Sequence, residues 1–376
     1  MSDKKSIIFI NQSSGYLMVD IINAFQEEYD EITLITGDLN LRNKQLAAKV
    51  KLVRIVSPRR NSTFQRLLTW LIGYLQIFWY LLWRSSKVEL FIVSNPPISV
   101  FLPLIFNNPF TILLFDIYPD ALVEHHIIKP NSLIFNTWKK TNQRVFKRAK
   151  KIITLTEGMK SNVVQYVEEK KVTVIPIWTD NDFFKPIKRD ENTFIKEHNL
   201  ERKFVVMYSG NLGFTHNIEV LIDIANALKE ESLIVLIIGE GAKKTIIQQK
   251  IDFMGLSNCL LLPWQPMSVL PHSLASAHIG VVSLGKEAST LSLPSKTFNL
   301  MSVGVPILSI ASTDSELANL ISKYDIGENF EDNDLNNMVK FVKSLIRDRD
   351  KYSMLSENSK TTSLLFTPAN ANNYVG

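Results

Sequence analysis

The chain has 376 residues, 45% hydrophobic and 21% charged, which fits two folded domains and excludes a disordered or collagen-like chain. Its single cysteine, Cys259, excludes an internal disulfide and a cysteine-based zinc cage, and fits a reducing compartment. The net charge of +5 is too small to mark a nucleic-acid binder, but it is unevenly spread.

Residues 1–180 carry 23 Lys and Arg against 15 Asp and Glu, and the remainder carries 19 against 22. The first half is therefore expected to meet something anionic. Its basic clusters are Arg54, Arg59, Arg60 and Arg66, then Lys139, Lys140, Arg144, Lys147, Arg148, Lys150 and Lys151.

In chain order, the apolar run 7–10 passes straight into a polar turn that begins at Asn11. That is a strand and loop, not a signal peptide. Residues 16–25 carry apolar positions at helical spacing. Strand-like runs follow at 32–36 and 50–56. The segment 64–83, opening on Phe64 and closing on Trp83, is the greasiest in the chain (FQRLLTWLIGYLQIFWYLLW).

About 20 residues suffice to cross a bilayer. However, Gln65, Arg66 and Gln76 interrupt this segment, and Trp70, Tyr74, Trp79 and Tyr80 stud it. Arg59 and Arg60 precede it, and Arg84 and Lys87 follow. Two readings stand: an interfacial helix with a lipid-facing side, or an apolar core helix of a large α/β domain. A true span would interrupt the alternation of strands and helices.

That alternation continues with strands at 90–93 and 111–115, a basic helical stretch over 132–148, and strands at 151–155 and 172–177. A polar, proline-containing stretch at 177–190 looks like a linker. The pattern then restarts with strands at 204–208, 233–238, 260–262, 279–284 and 306–310. Helices are expected at 217–228, 242–253 and 295–303.

Short apolar strands alternating with helices imply parallel sheets covered on both faces. The expected division is an N-terminal domain over 1–180 and a C-terminal domain over 181–360. The segment 361–376 is expected to return to the first domain. Ligands of such sheets bind outside the carboxyl ends of the strands, which places the site in a cleft between the two.

Two turns carry chemistry. In the loop 208–214, Gly210 and Gly213 would let the backbone approach a phosphate, and the following helix start favours an anion. In the segment 293–306, Ser295 looks like an N-cap, with Lys296 and Thr297 beginning the helix. Free N–H donors beside a lysine suit a diphosphate. Each feature alone is also what an ordinary turn or a capped surface helix looks like. Gly239, Glu240 and Gly241, and then Trp264 and Gln265, fall at further strand ends of the same half.

In the first half, Asp116 is expected to end a buried strand, with Asp120 and Glu124 following at turn and helix spacing. Carboxylates at the carboxyl end of such a strand point into the crevice, and an Asp here also suits a cap of the turn 117–120. His125 and His126 are sequence neighbours and do not face one metal from a helix, so no metal site is expected.

Together these segments resemble glycosyltransferase family 4, the retaining GT-B enzymes. In the second half the landmarks are SGNLG, IIGEG, LLPWQP, LASAHIGVVSL, LPSKTFNLMSVGVPIL and SELANLI. In the first half SNPPISV, LLFDIYPDAL, FKRAKKIITLTEGM and VIPIWTDNDFFKP resemble the bacterial surface-polysaccharide subgroup with the PSK motif.

The resemblance implies a GT-B fold of two facing Rossmann-like domains with an interdomain cleft. It implies a metal-independent transferase with no cofactor, whose substrate is a UDP- or GDP-sugar. The base would lie against Gly239, Glu240, Gly241, Trp264 and Gln265. The diphosphate would sit between Gly210, Asn211, Gly213 and His216 on one side and Pro294, Ser295, Lys296 and Thr297 on the other. Asn299 would hold the ribose. Asp116 would face the acceptor, with Ser14, Gly15, Asp120 and Glu124 on the acceptor side.

Asn211 and His216 stand where many members have Arg and Lys, and Leu291 and Asn299 stand where many have two Glu. That leaves Lys296 as the main cation near the diphosphate. The expected acceptor is a lipid-linked saccharide or glycan. The expected location is the cytoplasmic side of the inner membrane, reached through the 64–83 segment and the basic clusters. Two other functions fit the same fold: a sugar-nucleotide epimerase or hydrolase, and a non-catalytic sugar-nucleotide-binding subunit.

Overall fold

The computed structural model describes residues 4–59, 62–124, 127–214, 216–285 and 292–375. Arg60, His125, His126 and Leu291 lie outside the described residues, as does the side chain of Glu124. The chain divides into two compact units, Met1–Ile177 with Pro368–Gly376, and Trp178–Thr367.

The first unit is built on a seven-stranded parallel sheet. Its strands are β1 (Ser6–Ile10), β2 (Glu31–Thr36), β3 (Val50–Arg54), β4 (Glu89–Val93), β5 (Phe110–Leu113), β6 (Lys151–Thr154) and β7 (Val172–Val174). They run in the order β3-β2-β1-β4-β5-β6-β7. The order reverses between β1 and β4, the place where open α/β sheets form a crevice for ligands. Phe9 and Phe91 face each other there in register, with ring centroids 4.9 Å apart.

Among the described residues, three α-helices of eight or more residues belong to this unit: α1 (Tyr16–Ala24), α2 (Thr63–Leu82) and α3 (Leu133–Arg148). Ser62 and Ser132 cap α2 and α3 by accepting the amides of Gln65 and Phe135. The basic stretch over 132–148 is one continuous helix. The C-terminal residues close the unit, with Tyr374 buried near Phe91 at a centroid distance of 6.3 Å.

The second unit holds a six-stranded parallel sheet. Its strands are β8 (Phe204–Ser209), β9 (Leu233–Ile238), β10 (Cys259–Leu262), β11 (Ile279–Ser283), β12 (Ile307–Ile310) and β13 (Gly327–Phe330), in the order β10-β9-β8-β11-β12-β13. Its helices of eight or more residues are α4 (Glu219–Ala227), α5 (Lys244–Phe253), α6 (Ser295–Ser302), α7 (Glu316–Tyr324), α8 (Leu335–Arg347) and α9 (Arg349–Ser363). Here the order reverses between β8 and β11, so the loop after β8 borders the crevice. Two doubly wound α/β units are therefore what the alternation of short apolar runs predicts.

Three local expectations need correction, and one of the two readings of the 64–83 segment falls. The strand at 111–115 stops at Leu113. The amides of Phe115 and Asp116 turn away from the sheet and bond the Ser94 hydroxyl at 3.0 and 3.3 Å, so Asp116 sits in a bend beyond the strand. The N-cap of α6 is Pro294, and Ser295 is already helical. The Thr297 amide reaches the Pro294 carbonyl at 3.0 Å, so the first turn starts one residue early and no side chain caps it.

The stretch 177–190 is packed rather than loose. Trp178 and Phe184 are fully buried, and Arg189 donates to the carbonyls of Ser276 and Leu200. Finally, α2 is not a core helix. It buries only the narrow stripe Thr69, Gly73, Ile77 and Leu81. Phe64, Leu67, Leu71, Leu75, Trp79 and Trp83 stand exposed along its other side. Among the described residues, no helix is long and apolar enough to cross a membrane.

Candidate active site

In the second unit, the turns after β8, β9 and β10 are stitched together by backbone hydrogen bonds. The Gly210 amide bonds the Ile238 carbonyl at 3.0 Å, and the Gly239 amide bonds the Leu262 carbonyl at 3.0 Å. The Leu212 amide bonds the Glu240 carbonyl at 2.8 Å, and the Lys243 amide bonds the Leu212 carbonyl at 2.9 Å. This contact leaves no space for side chains. A Cβ on Gly239 would lie 2.0 Å from the Gly210 carbonyl oxygen. Gly241, at φ +151°, would place one 2.6 Å from the Leu212 oxygen.

Lys296 comes to this seam from α6. Its Nζ lies 4.1 Å from the Tyr208 ring centroid. It also lies 2.9 Å from where a Gly210 Cβ would stand. The Tyr208 hydroxyl donates to the Asn211 carbonyl at 2.8 Å, which fixes the ring under the ammonium. The residues of the two sequence motifs thus meet in space.

Lys296 as a whole is only half-buried, but its ammonium sits in a crowded place, and desolvation pushes it down to about 7. No carboxylate pairs with it among the described residues. His216 is likewise pushed below its usual value, first by desolvation and then by Lys296. Its Nδ1 is buried without a hydrogen-bond partner among the described residues, as is Oγ1 of the fully buried Thr297. A desolvated lysine and histidine beside two unpaired polar atoms give an anion several groups to bind.

The other donor-side residues have varied surroundings. Asn211 is exposed, and Gly213 is partly exposed. Glu240 is held by Lys244 at 2.7 Å. Trp264 is 52% exposed, and Gln265 Nε2 bonds the Pro263 carbonyl at 2.9 Å. Ser295 is exposed, and Pro294 is partly so. Asn299 Oδ1 accepts from the buried Thr179 hydroxyl at 2.6 Å, which orients its carboxamide. Spacing alone did not single out Tyr208. Its signal is an aromatic residue two positions before the first glycine of the loop.

In the first unit, Asp116 is exposed beside Tyr118. Desolvation holds the Tyr118 phenol well above its usual value, Asp116 adds to this and Arg66 opposes it. The Tyr118 ring contacts Trp70 and Trp138, at centroid distances of 6.1 Å each. Asp120 opens a short helix, and desolvation raises its carboxyl above the usual range while Lys139 opposes the rise. Ser14 is buried, and its hydroxyl bonds the Asn11 carbonyl at 3.3 Å and the Thr36 hydroxyl at 3.1 Å. Gly15 is the N-cap of α1 and faces open space. Among the described residues, no group of His, Cys, Asp or Glu is arranged to hold a metal ion.

Residues 189–362 match the family described as Glycosyl transferases group 1. Over 338 residues the chain is 22% identical to the probable glycosyltransferase WbjE of Pseudomonas aeruginosa, covering 86% of this chain and 83% of that protein. Over 176 residues it is 27% identical to the putative colanic acid biosynthesis glycosyl transferase WcaI of Escherichia coli K12, covering 46% and 43% of the two chains. HepE of Anabaena, solved in complex with UDP, matches with a TM-score of 0.72 at 13% identity, covering 98% of this chain and 97% of that one. Residues 189–362 therefore match a group 1 glycosyl transferase domain, and the fold is GT-B.

Proposed function

We propose that this protein is a retaining, metal-independent glycosyltransferase of the family 4 type. It would move a sugar from a UDP- or GDP-sugar to a lipid-linked saccharide in bacterial surface-polysaccharide synthesis. The observation that carries the reading is Lys296, uncompensated by any described carboxylate and packed over Tyr208 beside the seam of glycine turns.

Departure of a nucleoside diphosphate concentrates negative charge on its oxygens. Fixed donors aimed at that charge lower the barrier more than flexible ones, because they need no reorganisation. Lys296, the start of α6 and the amides of the loop after β8 are such donors, and His216 and Thr297 add neutral partners. The acceptor hydroxyl would attack from the face the leaving group vacates, with Asp116 orienting it or taking its proton. The exposed apolar side of α2 supports peripheral attachment to the inner face of the cytoplasmic membrane, where a lipid-linked acceptor resides. Basic residues near an anionic surface would add about 1 kcal/mol each.

Thermal melting with UDP- and GDP-sugars tests the donor site. A ligand at about 100 times its Kd stabilises the native state by about 2.7 kcal/mol. The wild type is expected to melt higher with one of these nucleotides, and Lys296→Ala is expected to lose most of that rise. An equal rise in both proteins removes Lys296 from the site. Sugar release or epimerisation without any acceptor would replace transfer by the hydrolase or epimerase reading.

A further inference from the structure

The first unit holds a set of unpaired polar groups of its own. In the turn after β1 and the first turns of α2, Asn11 Nδ2, Gln12 Oε1, Gln65 Oε1 and Arg66 Nε are buried without partners among the described residues. The two segments touch, since Gln12 Nε2 donates to the Thr69 carbonyl at 2.8 Å. They lie at the reversal between β1 and β4, where the Gln12 amide also bonds the Asn95 carbonyl at 2.7 Å.

Arg66 stands at the boundary of two faces of α2. On one side Thr69 and Gly73 pack inward, and on the other Leu67, Leu68 and Leu71 are exposed. Its guanidinium lies 5.3 Å from the Trp70 ring centroid and has no carboxylate partner among the described residues. Trp70 in turn meets Tyr118, whose phenol is electrostatically coupled to both Arg66 and Asp116.

A planar, permanently charged guanidinium matches phosphate oxygens in a two-point contact, and an aromatic ring beneath it holds the plane in place. An amphiphile lying along the exposed row of α2 would bring its anionic end to Arg66 and whatever follows it towards Asp116.

We infer that Arg66, seated on Trp70 beside Tyr118, is a subsite for the diphosphate end of a lipid, distinct from the nucleotide loops. The assignment rests on the proposed lipid-linked acceptor and adds which group of that molecule is held, and by which residue. The donors to the phosphate oxygens are Arg66 and Asn11 Nδ2. Gln12 and Gln65 accept from hydroxyls or bridging water.

Geranyl diphosphate, kept below its micellar concentration, is the probe. Its affinity is measured by calorimetry with UDP present at saturation, for the wild type, Arg66→Gln, Arg66→Lys and Lys51→Gln. Lys51 is an exposed cation on β3, and its variant controls for diffuse charge. Losing a charge-assisted contact should weaken binding by about ten- to a hundredfold in Arg66→Gln. Arg66→Lys should recover part of that loss, and Lys51→Gln and the UDP-induced rise in melting temperature should be unchanged.

Equal weakening in Arg66→Gln and Lys51→Gln overturns the subsite. Loss of geranyl diphosphate binding on adding UDP also overturns it, since the probe then sits in the donor loops. A change confined to binding of phosphatidylglycerol vesicles overturns it in favour of a bilayer headgroup contact. A wild type that binds the probe through Arg66 but binds no nucleotide sugar keeps the subsite and overturns the transferase reading instead.

Discussion

A lysine tucked over an aromatic ring with no described carboxylate near it is a titrating group at physiological pH. Lys296 falls from 10.5 to about 7 on folding, so between those values the unfolded chain binds more protons than the native one. Stability therefore rises with pH across that window, and below about pH 7 the cost of the buried charge is fully present. Cys259 acts in the opposite sense above its unfolded value of 9.0, because burial pushes its thiol up to about 12. Denaturant titrations at pH 7 and 8.5 avoid most of that overlap. The wild type should gain stability over this interval, and Lys296→Met should gain less. A bound diphosphate favours the charged lysine, so UDP binding at pH 8.5 should take up a proton. Calorimetry in buffers of different ionisation enthalpy reads that uptake directly, and Lys296→Met should abolish it. The sequence marks Lys296 as a cation beside a helix start. Its depressed titration depends on Tyr208 and the β8 turn, which are distant in the chain.

At the scale of the element, α2 shows how a legible helix can hide its orientation. Ser62 as cap and a proline-free apolar run of twenty residues make the helix itself plain. Its inward stripe consists of Thr69, Gly73, Ile77 and Leu81, and two of these are not residues that mark a core face. Gly73 is there because Gln12 Nε2 lies 2.6 Å from where its Cβ would stand. The larger apolar side chains are left outside, with Leu71 50% and Leu75 46% exposed. Burying one leucine side chain is worth about 1.5–3 kcal/mol, so two charges placed there should remove most of the lipid affinity proposed for this face. Leu71→Glu combined with Leu75→Glu is expected to abolish flotation with phosphatidylglycerol vesicles and leave the circular dichroism spectrum unchanged. Retained flotation would assign membrane contact to another surface. Asp116 is a second case of hidden placement. Its run of apolar neighbours looks like strand to Phe115, but the Ser94 hydroxyl captures the last amides, and that partner lies on another strand's exit.

For the whole molecule, the C-terminal residues belong to the first unit although they follow the second in sequence. Ala371 and Tyr374 are buried there, with Tyr374 set against Phe91 on β4. Losing a buried aromatic side chain costs about 3–5 kcal/mol. Deleting residues 368–376 is therefore expected to speed hydrogen exchange in β1 and β4 and to leave β8 and β9 unaffected. Equal protection in the full and shortened chains would mean that this segment contributes nothing to the first sheet.

Local periodicity sets apolar strands and amphipathic helices, so the two parallel α/β units are legible in the sequence. The sequence also determined where the glycine turns fall, since only residues without a Cβ fit such close backbone contact. Which charges are left without a described partner depends on how the chain packs. Lys296 and Arg66 look alike as basic residues in a sequence. The ring beneath Lys296 comes from β8, far away in the chain, whereas Trp70 lies one helical turn from Arg66, whose buried Nε meets the turn after β1 only through folding of the first unit.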